Sequence, residues 1–159
     1  MKITLSGTRG SVGRAGPETM GYGGDTSCVL VAAEDGSLLI LDAGSGLARL
    51  NTALDRAPAR IDLLLTHLHM DHIQGLGFFR PLFDPEVEVH LWGPVSSTMN
   101  LTERLVRYLS PPLFPVRLRD LPNVHPIDVR PGHFSIGPFE VTADMVIHPG
   151  PTLGYRIQE

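Results

Sequence analysis

The sequence has little cysteine, little lysine and no long apolar run, and each shortage excludes a class of protein. Cys28 is the only cysteine, so an internal disulfide is impossible and a cytoplasmic setting is the expectation. Within "TSCVLV" its thiol reads as a small buried hydrophobe, not a reactive group. No apolar stretch approaches the roughly 18–20 residues that span a bilayer. The opening "MKITLSGTRGSVG" lacks the apolar centre and small-residue cleavage site of a secretory signal. Lys2 is the only lysine among 13 basic residues, which stand against 17 acidic ones. With a formal net charge of −4 and no basic run, partnership with nucleic acid or an anionic membrane is disfavoured. Internal repeats, charge blocks and low-complexity linkers are also missing.

What remains is a chain of 159 residues, 42% hydrophobic, which suits one domain with a real core. Glycine (17) and proline (14) punctuate short elements. "KITLS" reads as a strand, followed by the glycine-rich loop "GTRGSVGRAGPETMGYGGDT". "SCVLVAA" and "LLILDAG" read as a hairpin around the turn "EDGS". A helix is predicted over residues 45–57, with Leu47, Leu50 and Leu54 at helical spacing and Pro58 as its stop. "IDLLLT" reads as a buried strand and "EVEVHLWG" as another. "SSTMNLTERLVRYL" reads as a helix with Leu101, Leu105 and Leu109 on one stripe. The last forty residues look like antiparallel strands between Pro-Gly and Gly-Pro turns. A layered α/β domain is the natural architecture.

The buried strand "IDLLLT" runs directly into "HLHMDHIQG", which holds His67, His69, Asp71 and His72. In an extended segment side chains at i and i+2 point to one side, so His67 and His69 can grip one ion. Neutral imidazole suits zinc and related first-row metals. A chain reversal after Met70 aims Asp71 and His72 at a neighbouring position, where a second ion about 3.5–4 Å away is geometrically allowed. Asp71 is also a candidate N-cap for a short helix starting there. His90, His125 and His133 lack ligand spacing and read as ordinary packing or surface residues. Trp92, Phe78, Phe79 and Phe83 read as core.

The pattern His-x-His-x-Asp-His resembles the signature of the metallo-β-lactamase superfamily of metal-dependent hydrolases. "GTRGS", "YGGDTSCVLV" and "LLILDAGSGL" resemble a branch that includes cyclic-nucleotide phosphodiesterase-like proteins and the phosphodiesterase of the carbon–phosphorus lyase pathway. That branch is akin to the tRNA 3′-processing nucleases. "VIHPGPTLGYRI" resembles the strand that carries the family's next histidine, here His148. Asp25 stands where the branch often has asparagine. The resemblance implies an αββα sandwich with its metal site along the edge where two halves meet. It implies His67, His69 and His148 as one site, and Asp71 and His72 as the start of a second. Asp42, at the end of "LLILDAG", is implied as a partner that orients the ligands. Asp71 is implied as the catalytic group that holds or deprotonates the attacking water. Gly7, Gly10, Gly23 and Gly24 would let backbone approach the site closely. One or two zinc ions are implied, with manganese or iron as alternatives. His69 stands where di-iron relatives often have glutamate, which favours zinc-type hydrolysis.

The family's bridging aspartate and last histidine normally follow the His148 strand, but the stretch from Pro149 to Glu159 has no histidine and no aspartate. Asp144 cannot stand in, because four residues of strand span about 13 Å. The expectation is therefore a single domain over residues 1–159 with an incomplete second half, either truncated or completed by another chain. Three functional readings stay open. The first is hydrolysis of a small-molecule phosphodiester by metal-held hydroxide. The second is an ester, thioester or lactam hydrolase on the same scaffold. The third is a non-catalytic metal-binding half-domain that self-associates. "TLGYRIQE" would leave a sheet edge uncovered, so light scattering is expected to show a homodimer or larger species. A monomer at high concentration would refute that.

Overall fold

The computed structural model describes residues 1–54 and 58–159. Strands β1 (Lys2–Gly7), β2 (Cys28–Ala32), β3 (Leu38–Leu41), β4 (Arg60–Leu64), β5 (Glu88–Pro94) and β6 (Val124–Val129) form one sheet in sequential order. β1, β2 and β3 run antiparallel, and the Asp-Gly turn joins β2 to β3 with Gly36 at φ 88°. From β3 to β6 every pairing is parallel. Parallel neighbours need crossovers. These carry the short helices α1 (Leu50–Ala53), α2 (Met70–Ile73) and α3 (Leu101–Val106). A second, antiparallel sheet follows, ordered β7 (Gly132–Ile136), β8 (Phe139–Met145) and β9 (Leu153–Gln158).

Side-chain alternation divides the core. On β4, Ile61 and Leu63 join Ile40, Val89 and Leu91 beneath the helices, where Leu47, Leu50, Leu101 and Leu105 are buried. Leu64 points the other way and packs with Val31, Leu39, Ile136, Phe139 and Val141 between the two sheets. Trp92 lies in that inter-sheet layer, stacked on Phe134 at 5.6 Å, and its indole N–H donates to Asp62 Oδ1 at 2.8 Å. Cys28 is fully buried, and burial pushes its thiol up to about 12. No helix among the described residues is long and apolar enough to cross a membrane.

Several expectations need correction. "VHPIDV" is not part of the antiparallel group: it returns through the α3 crossover and becomes the parallel edge strand β6. The helix predicted over 45–57 opens as a 3-10 turn at Ser45–Arg49 and becomes α1 only to Ala53. Its start is held down by backbone bonds from Gly44 N–H to Ser27 O and from Gly46 N–H to Thr26 O, which leaves little room for a regular α turn. Its predicted last residues, 55–57, lie outside the described residues. Phe79 is core, but Phe78 and Phe83 are exposed. Among the described residues no helix follows Asp120, so the expected sandwich is represented by one helical layer and two sheets. Strand β9 pairs with β8 on one side and, among the described residues, with no strand on the other.

Leu63 sits at 0% exposure in the layer between sheet and helices. Leu63→Ala is expected to cost about 2–5 kcal/mol of unfolding free energy, measured by urea titration. A cost well under 1 kcal/mol would contradict that packing.

Candidate metal centre

The site grows from the carboxyl end of β4. After Leu64 the chain leaves the sheet, and His69 takes an extended backbone (φ −67°, ψ 152°) before α2 begins. His69 is the N-cap residue of α2, so Asp71 does not cap the helix as expected. Its Oδ2 instead accepts the backbone N–H of Ser11 at 2.7 Å, which ties the glycine-rich loop to the histidine motif. The loop glycines divide. A Cβ on Gly7 would fall 1.8 Å from Thr26 O, and one on Gly24 would fall 1.6 Å from Arg14 O, whereas Gly10 faces open space. Gly7 and Gly24 therefore permit close backbone approach, and Gly10 does not need to.

His148 comes from far along the chain and, contrary to expectation, not from a strand. β8 ends at Met145, and His148 lies in the loop that leads to β9. Two hydrogen bonds hold the chain at the start of β9 to the residues that lead into the motif, and a third closes the loop on itself. Leu153 N–H donates to Thr66 O at 2.9 Å, and Val146 N–H donates to Thr152 O at 3.2 Å. The Tyr155 hydroxyl donates to Leu65 O at 3.0 Å. His67, His69 and His148 consequently converge, with one ring nitrogen from each lying within 4.8 Å of the others. His148 Nε2 and His69 Nδ1 stand 3.2 Å apart. That matches the edge of a tetrahedron, about 3.3 Å, built on metal–nitrogen bonds of about 2.0–2.1 Å. The donor set thus fits a divalent cation.

Asp42 organises the group from below. It ends β3 in a left-handed conformation (φ 59°), which aspartate tolerates better than most residues. Its buried carboxylate accepts Thr66 N–H at 2.8 Å and the Thr66 hydroxyl at 2.9 Å. The Ser27 hydroxyl donates to it at 3.2 Å. His72 Nδ1 donates at 2.7 Å. A carboxylate can only accept, so the His72 proton sits on Nδ1 and Nε2 presents a lone pair. The Thr66 oxygen, its own proton given to Asp42, takes the Nδ1 proton of His67 at 3.0 Å. Burial disfavours a charged His72, but the hydrogen bond and charge of Asp42 and the charge of Asp71 outweigh it and raise its pKa. His72 Nε2 lies 3.5 Å from Asp71 Oδ2. Among the described residues no third histidine, cysteine or carboxylate completes a cluster with this pair.

Sequence reasoning missed Thr66, Ser11, Gly44 and Gly75. A Cβ on Gly44 would meet Asp71 O at 2.3 Å, and one on Gly75 would meet Gly44 O at 2.1 Å, so both glycines let α2 press against the end of β3. Thr66 directly precedes His67, a position from which a hydroxyl bond to the ring could have been suspected. Nothing in the sequence pointed to a backbone donor at Ser11.

A family model described as the metallo-beta-lactamase superfamily matches residues 21–155. The chain belongs to that superfamily. A Ribonuclease Z from Deinococcus radiodurans is 33% identical over 158 residues, covering 74% of this chain and 46% of that protein. A Ribonuclease Z from Haloarcula marismortui is 26% identical and covers 100% of this chain and 48% of that one. The chain thus spans about half the length of these curated relatives. Among solved structures, the metallo-beta-lactamase fold protein YhfI from Bacillus subtilis superimposes with a TM-score of 0.66 at 21% identity, over 98% of this chain and 56% of that one. A diphosphatase from the PhnP family gives 0.57 at 23% identity, over 83% and 49%. Both structures support the metallo-beta-lactamase fold.

Burial, followed by the charges of His72 and His69, lowers the pKa of His67 from 6.5 to about 4. This ring is therefore neutral, the state a cation requires, through the whole physiological range. Because the folded value lies below the unfolded one, the His67 contribution to stability is present above pH 6.5. It is lost as the pH falls toward 4. In an NMR titration of the metal-free protein, the His67 ring signal is expected to move only near pH 4. Movement centred at 6.5 would contradict the buried, neutral ring.

Proposed function

We propose that this chain is a metal-dependent hydrolase that acts on phosphodiesters. The observation that carries this reading is the convergence of His67, His69 and His148 on one point from segments nearly eighty residues apart. His67, His69 and His148 would hold one cation, and Asp71 with His72 would flank a second position. Zinc is the preferred ion, with manganese or iron as alternatives, given the all-imidazole donor set. A cation bound there would lower the pKa of a coordinated water toward about 7 and polarise a phosphoryl oxygen.

The protein's own groups do the rest. Asp42 holds His72 directly and His67 through Thr66, so both rings keep one orientation. Asp71, with Oδ2 engaged by Ser11, keeps Oδ1 for the proton of the attacking water and is the proposed catalytic base. The Ser11 contact also stations the glycine-rich loop beside the reacting centre. The relatives named Ribonuclease Z and the PhnP-family diphosphatase support phosphorus over carbonyl chemistry. A net charge of −4 favours a small phosphodiester over RNA. That no third ligand joins Asp71 and His72 among the described residues supports the rival reading of a metal-binding module without turnover, because a two-metal hydrolase needs further ligands at that position.

The test is hydrolysis of bis-p-nitrophenyl phosphate by the protein loaded with zinc or manganese, beside a p-nitrophenyl ester and a short RNA. Turnover of the phosphodiester is expected. His148→Ala should abolish it, and Asp71→Asn should lower kcat by about 10²–10⁴-fold. Metal bound at full occupancy with no turnover would leave the binding module as the answer. Faster turnover of the ester would replace the substrate class.

A further inference from the structure

A second cluster of ligand-type side chains lies on the sheet itself, away from the centre just described. β5 and β6 are parallel neighbours, and His90 stands directly opposite His125 in their register. Glu88 precedes His90 by two residues, so both side chains share one face of β5. One ligand atom each from Glu88, His90 and His125 lies within 4.8 Å of the other two. His90 Nε2 is 2.6 Å from Glu88 Oε1, and His125 Nε2 is 3.8 Å from that same oxygen. The two rings meet edge to face at 5.1 Å. We propose that Glu88, His90 and His125 form a separate divalent-cation site that clamps the edge strand β6 to β5.

Four observations support the assignment. The donors are two imidazoles and one carboxylate, a set that suits zinc and its first-row neighbours and leaves a position for water. The site is reachable, since the side chains of His125 and Glu88 are 49% and 46% exposed, while His90, at 15%, is held by the sheet. The far side of His90 faces a fixed carboxylate. Its Nδ1 is buried with no hydrogen-bond partner among the described residues and lies 3.8 Å from Asp62 Oδ1. Asp62 is itself locked by Arg60 through bonds of 2.8 and 2.9 Å and by the Trp92 indole. With a cation on Nε2, the proton would reside on Nδ1 and face that carboxylate across 3.8 Å, where its charge favours the cation-bound ring. Finally, the place in the fold gives the cation a task. β6 ends the six-stranded sheet, so a tie between β5 and β6 strengthens an edge whose backbone is paired on one side.

This site is independent of the first. His90 is in register with Asp62, and His67 lies five residues beyond Asp62, about 16 Å of extended chain. No single ion bridges the two.

The experiment uses the 159-residue chain carrying His69→Ala and His148→Ala, exposed positions whose loss disables the first centre without touching the core. Zinc titrated against a chromophoric chelator is expected to bind at one equivalent per chain and to raise Tm as its concentration rises. Adding His125→Ala or Glu88→Gln should weaken that binding by at least about tenfold. Cobalt in place of zinc should give visible absorption bands that vanish with the same substitutions, a signature a purely structural defect would not imitate. Absence of zinc uptake by the double variant overturns the proposal, as does uptake indifferent to positions 88 and 125. Neither result bears on turnover at the first centre.

Discussion

A single buried carboxylate holds the candidate centre together. Asp42 draws donors from Ser27 on the approach to β2, from Thr66 beyond β4 and from His72 in α2. A carboxylate out of water is tolerated only when its lone pairs are met, so each donor is constrained in turn. The left-handed backbone at Asp42 aims the group back beneath the histidines. Removing that carboxylate would free two imidazoles at once and leave the Thr66 N–H buried without its acceptor.

The next constraint is close approach. α2 is placed by backbone bonds from Ala43 N–H to His72 O and from Gly75 N–H to Ala43 O, each 2.8 Å. Gly44 and Gly75 have no Cβ to prevent it. On the other side, the bond from Leu153 N–H to Thr66 O carries one sheet onto the other and delivers His148. The centre therefore lies where the two sheets meet, and its geometry is as rigid as those backbone contacts.

Much of this was legible because local rules and the fold agree. "IDLLLT" is a buried strand by composition, and its burial follows from parallel pairing on both sides. The hairpin turn required Asp-Gly, and Gly36 has the positive φ expected. His67, His69 and His148 were marked as candidate ligands by pattern and resemblance, and their rings do converge. What failed were features set at a distance. Asp71 is drawn off the helix cap by Ser11, sixty residues away. The predicted helix after β3 is shortened where backbone bonds pin its first residues. His148 rides a loop because β8 ends at Met145.

By itself the sequence determined most of the strands, the histidine motif and the resemblance to the superfamily, since strand alternation and the His-x-His-x-Asp-His spacing are written within a few consecutive residues. Only the tertiary structure decided which remote groups complete each cluster. Thr66 relays Asp42 to His67, Ser11 restrains Asp71, and His90 meets His125 across thirty-five residues of chain. The physical reason is register. A one-residue slip of β6 against β5 would turn His125 to the opposite face of the sheet, and nothing local to either histidine records which register the packed core selects.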